Sequence, residues 1–231
     1  MVKGDNKGHK YEKKIVEILQ NKDLMPKEIS GAGSGPGVDA IFIHKGKQYS
    51  VEVKDRANGG EFGQKRLIPK FEKNSWKWYW SEKKKDLKIT KHYTSLGVLE
   101  HLNDKQLIPN KFRKPDHEIT YDDVKEDQKN FEENSFKISD DLISMFYQEK
   151  ADYIQIGNGY GLYHTKEDKA KLGTEKLSGD FYLRFRAKRH HSIPYYCYSF
   201  IAVIKCRSLS KKSNYNLEDT DIQKFPGITS W

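Results

Sequence analysis

The stretch that most constrains this chain is residues 38–55, VDAIFIHKGKQYSVEVKD. Two β-rich runs, 38–46 and 47–55, meet at Lys45-Gly46-Lys47, which predicts a β-hairpin. Successive strand side chains point to opposite faces. Val51 and Val53 therefore share one face of the second strand, and Glu52 and Lys54 share the other. Asp39 opens the first strand, directly after the turn-forming Gly35-Pro36-Gly37 and Val38. Pairing these strands can set Asp39 beside Glu52, so that two carboxylates and one ammonium converge.

Neighbouring carboxylates repel, and joint ionisation is costly unless a cation lies between them. Mg2+ is a hard cation that takes oxygen ligands, needs only one or two carboxylates and keeps several waters. Asp39 and Glu52 are therefore the candidate metal ligands, and Lys54 the candidate group that orients or helps deprotonate an attacking water. Alternating Val-Glu-Val-Lys equally suits the solvent face of an ordinary amphipathic strand. The Asp39 upstream, at a suitable interval, distinguishes this stretch from that case.

An Asp at the start of one strand, followed by Glu52-Val53-Lys54 on the next, resembles the PD-(D/E)xK nuclease superfamily, which includes many restriction endonucleases. Val38 stands where the family's name has Pro. The resemblance covers residues 9–56. It implies an α/β (α+β) core of mixed sheet flanked by helices, and Mg2+-dependent hydrolysis of phosphodiester bonds in duplex DNA to 5′-phosphate and 3′-hydroxyl ends. It also implies a Glu on the preceding helix, the place of Glu12, for which an exposed helix charge among lysines is the plainer alternative. Further along, Tyr49–Lys54, Phe62-Gly63-Gln64, Leu67-Ile68-Pro69 and the run GNGYGLYHTKED resemble the HhaI-like restriction endonucleases. That likeness implies that Gln64 lines the active site.

Charge fits such a partner. The 231 residues carry 42 Lys+Arg against 33 Asp+Glu, a formal net charge of +9, and a basic excess favours polyanions through counterion release. Aromatic residues at 13% argue against disorder despite a hydrophobic share of only 35%. With only Cys197 and Cys206, neither a disulfide framework nor a zinc pair is expected, and both thiols are expected to be buried. No apolar run is long enough to span a bilayer, so a soluble, cytoplasmic protein without membrane contact is expected.

Along the rest of the chain, apolar spacing predicts a helix over 9–22 and another over 89–103, broken near Gly97. Residues 58–64 are expected to form a flexible loop. The acidic stretch 115–141 is expected to be a surface connection with some helix. It divides a nuclease core (1–115) from a β-rich lobe for DNA recognition (116–231). A helix over 140–149, a hairpin turning at Gly157-Asn158-Gly159, strands within 179–191 and 195–208, and a loosely packed polar tail from 208 complete the pattern. Phe225 and Trp231 are the tail residues able to dock.

Candidate DNA contacts are Arg56, Lys65 and Arg66 after the catalytic strand, Asn158 and Tyr160 in the hairpin turn, and Arg184, Arg186, Lys188, Arg189 and His190 in the second half. Arg, Asn and Gln can read base edges; a basic face that merely tracks the backbone is the alternative. Trp76, Trp78 and Trp80 suit packing more than base stacking. Cutting both strands takes two active sites or sequential nicking, which leaves a homodimer open. Competing functions are a structure-selective nuclease, a non-catalytic nucleic-acid-binding module and a basic interaction protein.

Overall fold

The structure, a computed structural model, describes residues 7–27, 38–56, 61–81, 87–113, 116–148, 150–189, 194 and 197–219. In chain order its elements begin with α1 (Lys7–Asn21), β1 (Ala40–His44), β2 (Lys47–Lys54), β3 (Glu61–Glu72) and β4 (Ser75–Trp80). Then come α2 (Leu87–Ser95), α3 (Val98–Asp104), α4 (Asn110–Arg113), α5 (Tyr121–Glu133), β5 (Phe136–Ile138) and α6 (Asp140–Gln148). The chain continues through β6 (Tyr153–Ile156), β7 (Gly161–His164), β8 (Glu175–Lys176), β9 (Gly179–Arg189) and β10 (Tyr198–Leu209). The fold is mixed α+β with two five-stranded sheets. None of the described helices is long and apolar enough to cross a membrane.

Contacts divide the chain into two units. The first holds Met1–Gly60, Ser139–Phe181 and Cys206–Trp231; the second holds Glu61–Ile138 and Tyr182–Lys205. Each draws on chain from both sides of residue 115, so the division expected there coincides with neither unit. The acidic stretch is not a connection: α5 belongs to the second unit and buries Val124 and Phe131. Thr120 and Asp123 start that helix as a capping box, each side chain accepting from the other's backbone N–H.

In the first unit the sheet order is β1-β2-β6-β7-β8, with β1–β2 antiparallel and β2–β6 parallel. The β1–β2 turn is tight because Lys45 (φ 50°) and Gly46 (φ 69°) both take the left-handed conformation that matches strand twist. β2 alternates as its sequence predicts, with Tyr49, Val51 and Val53 buried and Ser50, Glu52 and Lys54 half-buried on the other face. The apolar face of α1 (Ile15, Val16, Leu19) joins Phe42, Val51, Val53 and Tyr153 in one core. The polar tail is not loose over its described part. Tyr215 and Leu217 are buried in that core, and Tyr215 accepts a hydrogen bond from the Leu162 N–H. Residues 220–231, with Phe225 and Trp231, lie outside the described residues.

In the second unit the sheet order is β4-β3-β10-β9-β5. β3 starts at Glu61, inside the stretch expected to be loop, and its register on β10 runs from Glu61↔Lys205 to Leu67↔Phe200. Pro69, two residues further on, pairs only with Trp78 of β4, so its missing N–H breaks no ladder on the β10 side. Trp78 is buried against Phe131 and Phe200 and donates its indole N–H to the Leu107 carbonyl at 3.0 Å. Packing, not base stacking, is its role. Cys206 is buried as expected, whereas Cys197 is half-buried.

Candidate active site

The β1–β2 register pairs Ala40 with Val51; one step further sets Asp39 opposite Glu52. β1 has ended there, and the Asp39 side chain takes over its ladder role. Its Oδ2 accepts the Val53 N–H at 2.8 Å. That bond fixes the carboxylate at the mouth of the hairpin. On the outward face of β2, Lys54 Nζ donates to Glu52 Oε1 at 2.6 Å and lies 3.8 Å from Asp39 Oδ2. The three side chains keep only 22%, 16% and 18% of their exposure for Asp39, Glu52 and Lys54. The cluster is thus a partly desolvated acid–acid–ammonium triangle built from one hairpin.

Burial, then the Glu52 carboxylate, pushes the Asp39 carboxyl above the ordinary carboxylate range; the Val53 N–H and Lys54 pull it back, and Glu12 adds to the rise. Glu12, on α1, therefore lies within electrostatic reach of the cluster, with its own carboxylate 3.1 Å from His9 Nδ1. A raised Asp pKa gives stability a defined pH sense. Between the ordinary value and the folded value the native chain binds more protons than the unfolded one, so stability falls as pH rises through that window. Asp39→Asn keeps an acceptor for the Val53 N–H but removes the desolvated charge. In chelator at pH 7 this variant should melt higher than the parent, on the order of 2–4 °C. The gain should shrink towards pH 4. A lower melting temperature at pH 7 would show that Asp39 stabilises as a carboxylate.

Beneath the cluster lies a polar contact set with no local sequence signal. Gln155 is fully buried on β6, opposite Val53. Its amide donates to Tyr11 Oη at 3.1 Å and Asn216 Oδ1 at 2.8 Å, and its oxygen accepts the Leu217 N–H. Burial pushes the Tyr11 phenol up, so it stays neutral at ordinary pH. α1, β6 and the tail are tied together directly under β2.

The remaining candidates scatter. Arg56 is exposed, with its Nε 3.9 Å from Asp55 Oδ2. Gln64 belongs to the second unit, where with Arg66 and Lys111 it lines a groove of about 490 Å3. Lys65 is only 2% exposed, on the opposite face of β3 from its neighbours Gln64 and Arg66, and is not placed for a phosphate contact. Asn158 is exposed at a left-handed turn position, and the Tyr160 ring lies under Lys212 Nζ at 5.9 Å. Arg184 is paired with Glu132 of α5; Arg186 and Lys188 are half-buried and Arg189 is exposed. His190 lies outside the described residues.

Among the described residues, no three His, Cys, Asp or Glu side chains form a group able to hold a metal alone. The donor set of Asp39 and Glu52 still fits a hard divalent cation. Both offer only oxygen, and burial first, then the Glu52 carboxylate, makes the Asp39 charge costly, a cost that such a cation would relieve. The chain matches no family model, no curated protein and no solved structure.

Proposed function

We propose that the chain is a Mg2+-dependent DNA endonuclease, of the restriction type that cuts short specific sites in duplex DNA. One observation carries this: Asp39, Glu52 and Lys54 meet at a single hairpin mouth, with Asp39 held by the Val53 N–H. Asp39 and Glu52 are the residues that would hold Mg2+. When bound, the ion supplies positive charge against the charge that develops on the phosphodiester and lowers the pKa of water.

The chain's own groups supply position. The Lys54 ammonium has three donors. One goes to Glu52, which leaves the others for the attacking water and a phosphate oxygen. Water oxygen bonds to phosphorus as the bond to the 3′ oxygen breaks; the water releases one proton to solvent and the departing 3′ oxygen takes one up, so the products are a 5′-phosphate and a 3′-hydroxyl. Part-burial of the triangle strengthens each of these contacts relative to bulk water. Arg56, Arg66 and the basic residues of β9 are proposed DNA contacts. A homodimer would provide the second active site that a double-strand cut requires.

The direct test is incubation of the purified protein with a long defined duplex and Mg2+, beside an EDTA control. Discrete fragments that vanish in EDTA are expected. A smear with the same metal dependence would remove site specificity and keep the chemistry. Cleavage confined to branched substrates would replace the restriction function with a structure-selective one. Absence of metal-dependent cleavage on every substrate would leave a binding module.

A further inference from the structure

α5 and β9 of the second unit enclose a basic trough. A groove of about 410 Å3 lined by Lys125, Lys129, Glu132, Arg184 and Arg186 adjoins one of about 260 Å3 lined by Tyr121, Arg186, Lys188 and Arg189. Lys125, Gln128, Arg186 and Ala187 border both, which makes them one continuous channel. Its described lining is almost wholly cationic and polar, the character of a binding surface for an anion.

The charges have been sorted. As sequence α5 is acidic, YDDVKEDQKNFEE, yet three of its acids have partners elsewhere, while Glu133 lies 3.8 Å from Lys129. Asp123 caps the helix and meets His117 at 3.0 Å. Asp127 accepts the Asn110 N–H and the Tyr198 hydroxyl, and Glu126 accepts from the Asn110 side chain. Of the α5 charges only Lys125, Lys129 and Glu132 line the trough, and Glu132 is paired with Arg184. Among the described residues six cations line both walls, against Glu132 in the lining and Glu133 beside Lys129.

From Arg184 to Arg189 a strand advances ~16 Å, the axial length of about five base pairs. Among the described lining residues the one amide, Gln128, spends one of its two N–H donors on the Ala187 carbonyl at 3.3 Å, which holds it against β9. We propose that this trough holds one phosphate strand of duplex DNA and tracks the backbone without reading bases. The proposal rests on duplex DNA being the partner of the hairpin site, and it adds α5 to the DNA-contacting surface.

Two labelled duplexes of unrelated sequence, titrated in EDTA by fluorescence anisotropy across a salt series, test this. The triple variant Lys125→Ala, Lys129→Ala, Arg186→Ala should weaken both duplexes alike, on the order of ten- to hundredfold near 0.1 M salt. Its log–log salt slope should be shallower by about 2–3. A charge-matched control, Lys47→Ala, Lys105→Ala, Lys166→Ala, should keep the parent slope. Should the triple variant lose its fold by circular dichroism, Lys125→Glu alone is read for weaker binding to both duplexes and a slope shallower by about 1. An unchanged slope, or a loss confined to one sequence, overturns the proposal. A parent that binds with this slope but never cleaves in Mg2+ removes the nuclease function and leaves the trough standing. Mg2+-dependent cleavage with no effect of the trough variant on binding does the reverse.

Discussion

Replacing Lys54 with Ala should cut Mg2+-dependent DNA cleavage by about 10²–10³-fold while duplex affinity measured in EDTA stays within a small factor of the parent. The asymmetry follows from where the ammonium sits. It is 18% exposed, bonded to Glu52 at 2.6 Å and 3.8 Å from Asp39, so its charge works at one small locus and adds little to a long binding surface. A group that matters mainly as charge develops lowers kcat and not affinity. Lys54→Arg should not restore the rate, because a planar fork cannot occupy the compact position between two carboxylates that an ammonium fills. Removing Lys54 also leaves Asp39 and Glu52 facing each other without their cation. The Ala variant should therefore melt lower in chelator. Equal losses in cleavage and in affinity would instead mean that Lys54 is one phosphate contact among many, and the triangle would lose its catalytic assignment.

The triangle was legible because its parts are close in sequence. Asp39 and Glu52 are joined by one hairpin whose turn, Lys45-Gly46, needs no distant partner, and period-two alternation places Glu52 and Lys54 together. The helix over α1 and the break at Gly97 between α2 and α3 were legible for the same reason. What escaped depends on distant chain. β2 pairs in parallel with β6 about a hundred residues later, and nothing local announces that Gln155 will lie beside Val53. The start of β3 looks like a loop because Gly59, Gly60 and Gly63 punctuate 58–64, yet β10 holds the chain as strand from Glu61. Lys65 reads as a surface cation until β10 pairs with β3 and fixes which of its neighbours face outward. Tail residues Tyr215 and Leu217 sit in a polar context, and only the core of the first unit gives them a partner.

Gly157 is where that distant pairing can be tested, and Gly157→Ala is expected to cost about 1–3 kcal/mol, with a fall in cleavage rate alongside. Gly157 follows β6, the strand parallel to β2, and donates its N–H to the Lys54 carbonyl at 2.8 Å. A Cβ there would lie 2.4 Å from the Asp55 carbonyl oxygen and 2.8 Å from Tyr11 Cζ. One neighbour is backbone and the other a half-buried ring already bonded to Gln155, so neither gives way cheaply. Relief has to come from moving Asp55, the residue next to Lys54, or α1, which carries Glu12. Gly173 provides the contrast. Its φ of 77° disfavours a side chain, but nothing lies within 4 Å of a Cβ there. Gly173→Ala should therefore cost only the left-handed strain, roughly 1–2 kcal/mol, and leave cleavage unchanged. Urea unfolding of the two variants, read beside their initial cleavage rates, separates the cases. A rate loss for Gly157→Ala alone places the β2–β6 junction in control of the hairpin site. Equal rates for both variants would mean that the junction yields without moving the triangle, and that the hairpin alone sets the site's geometry.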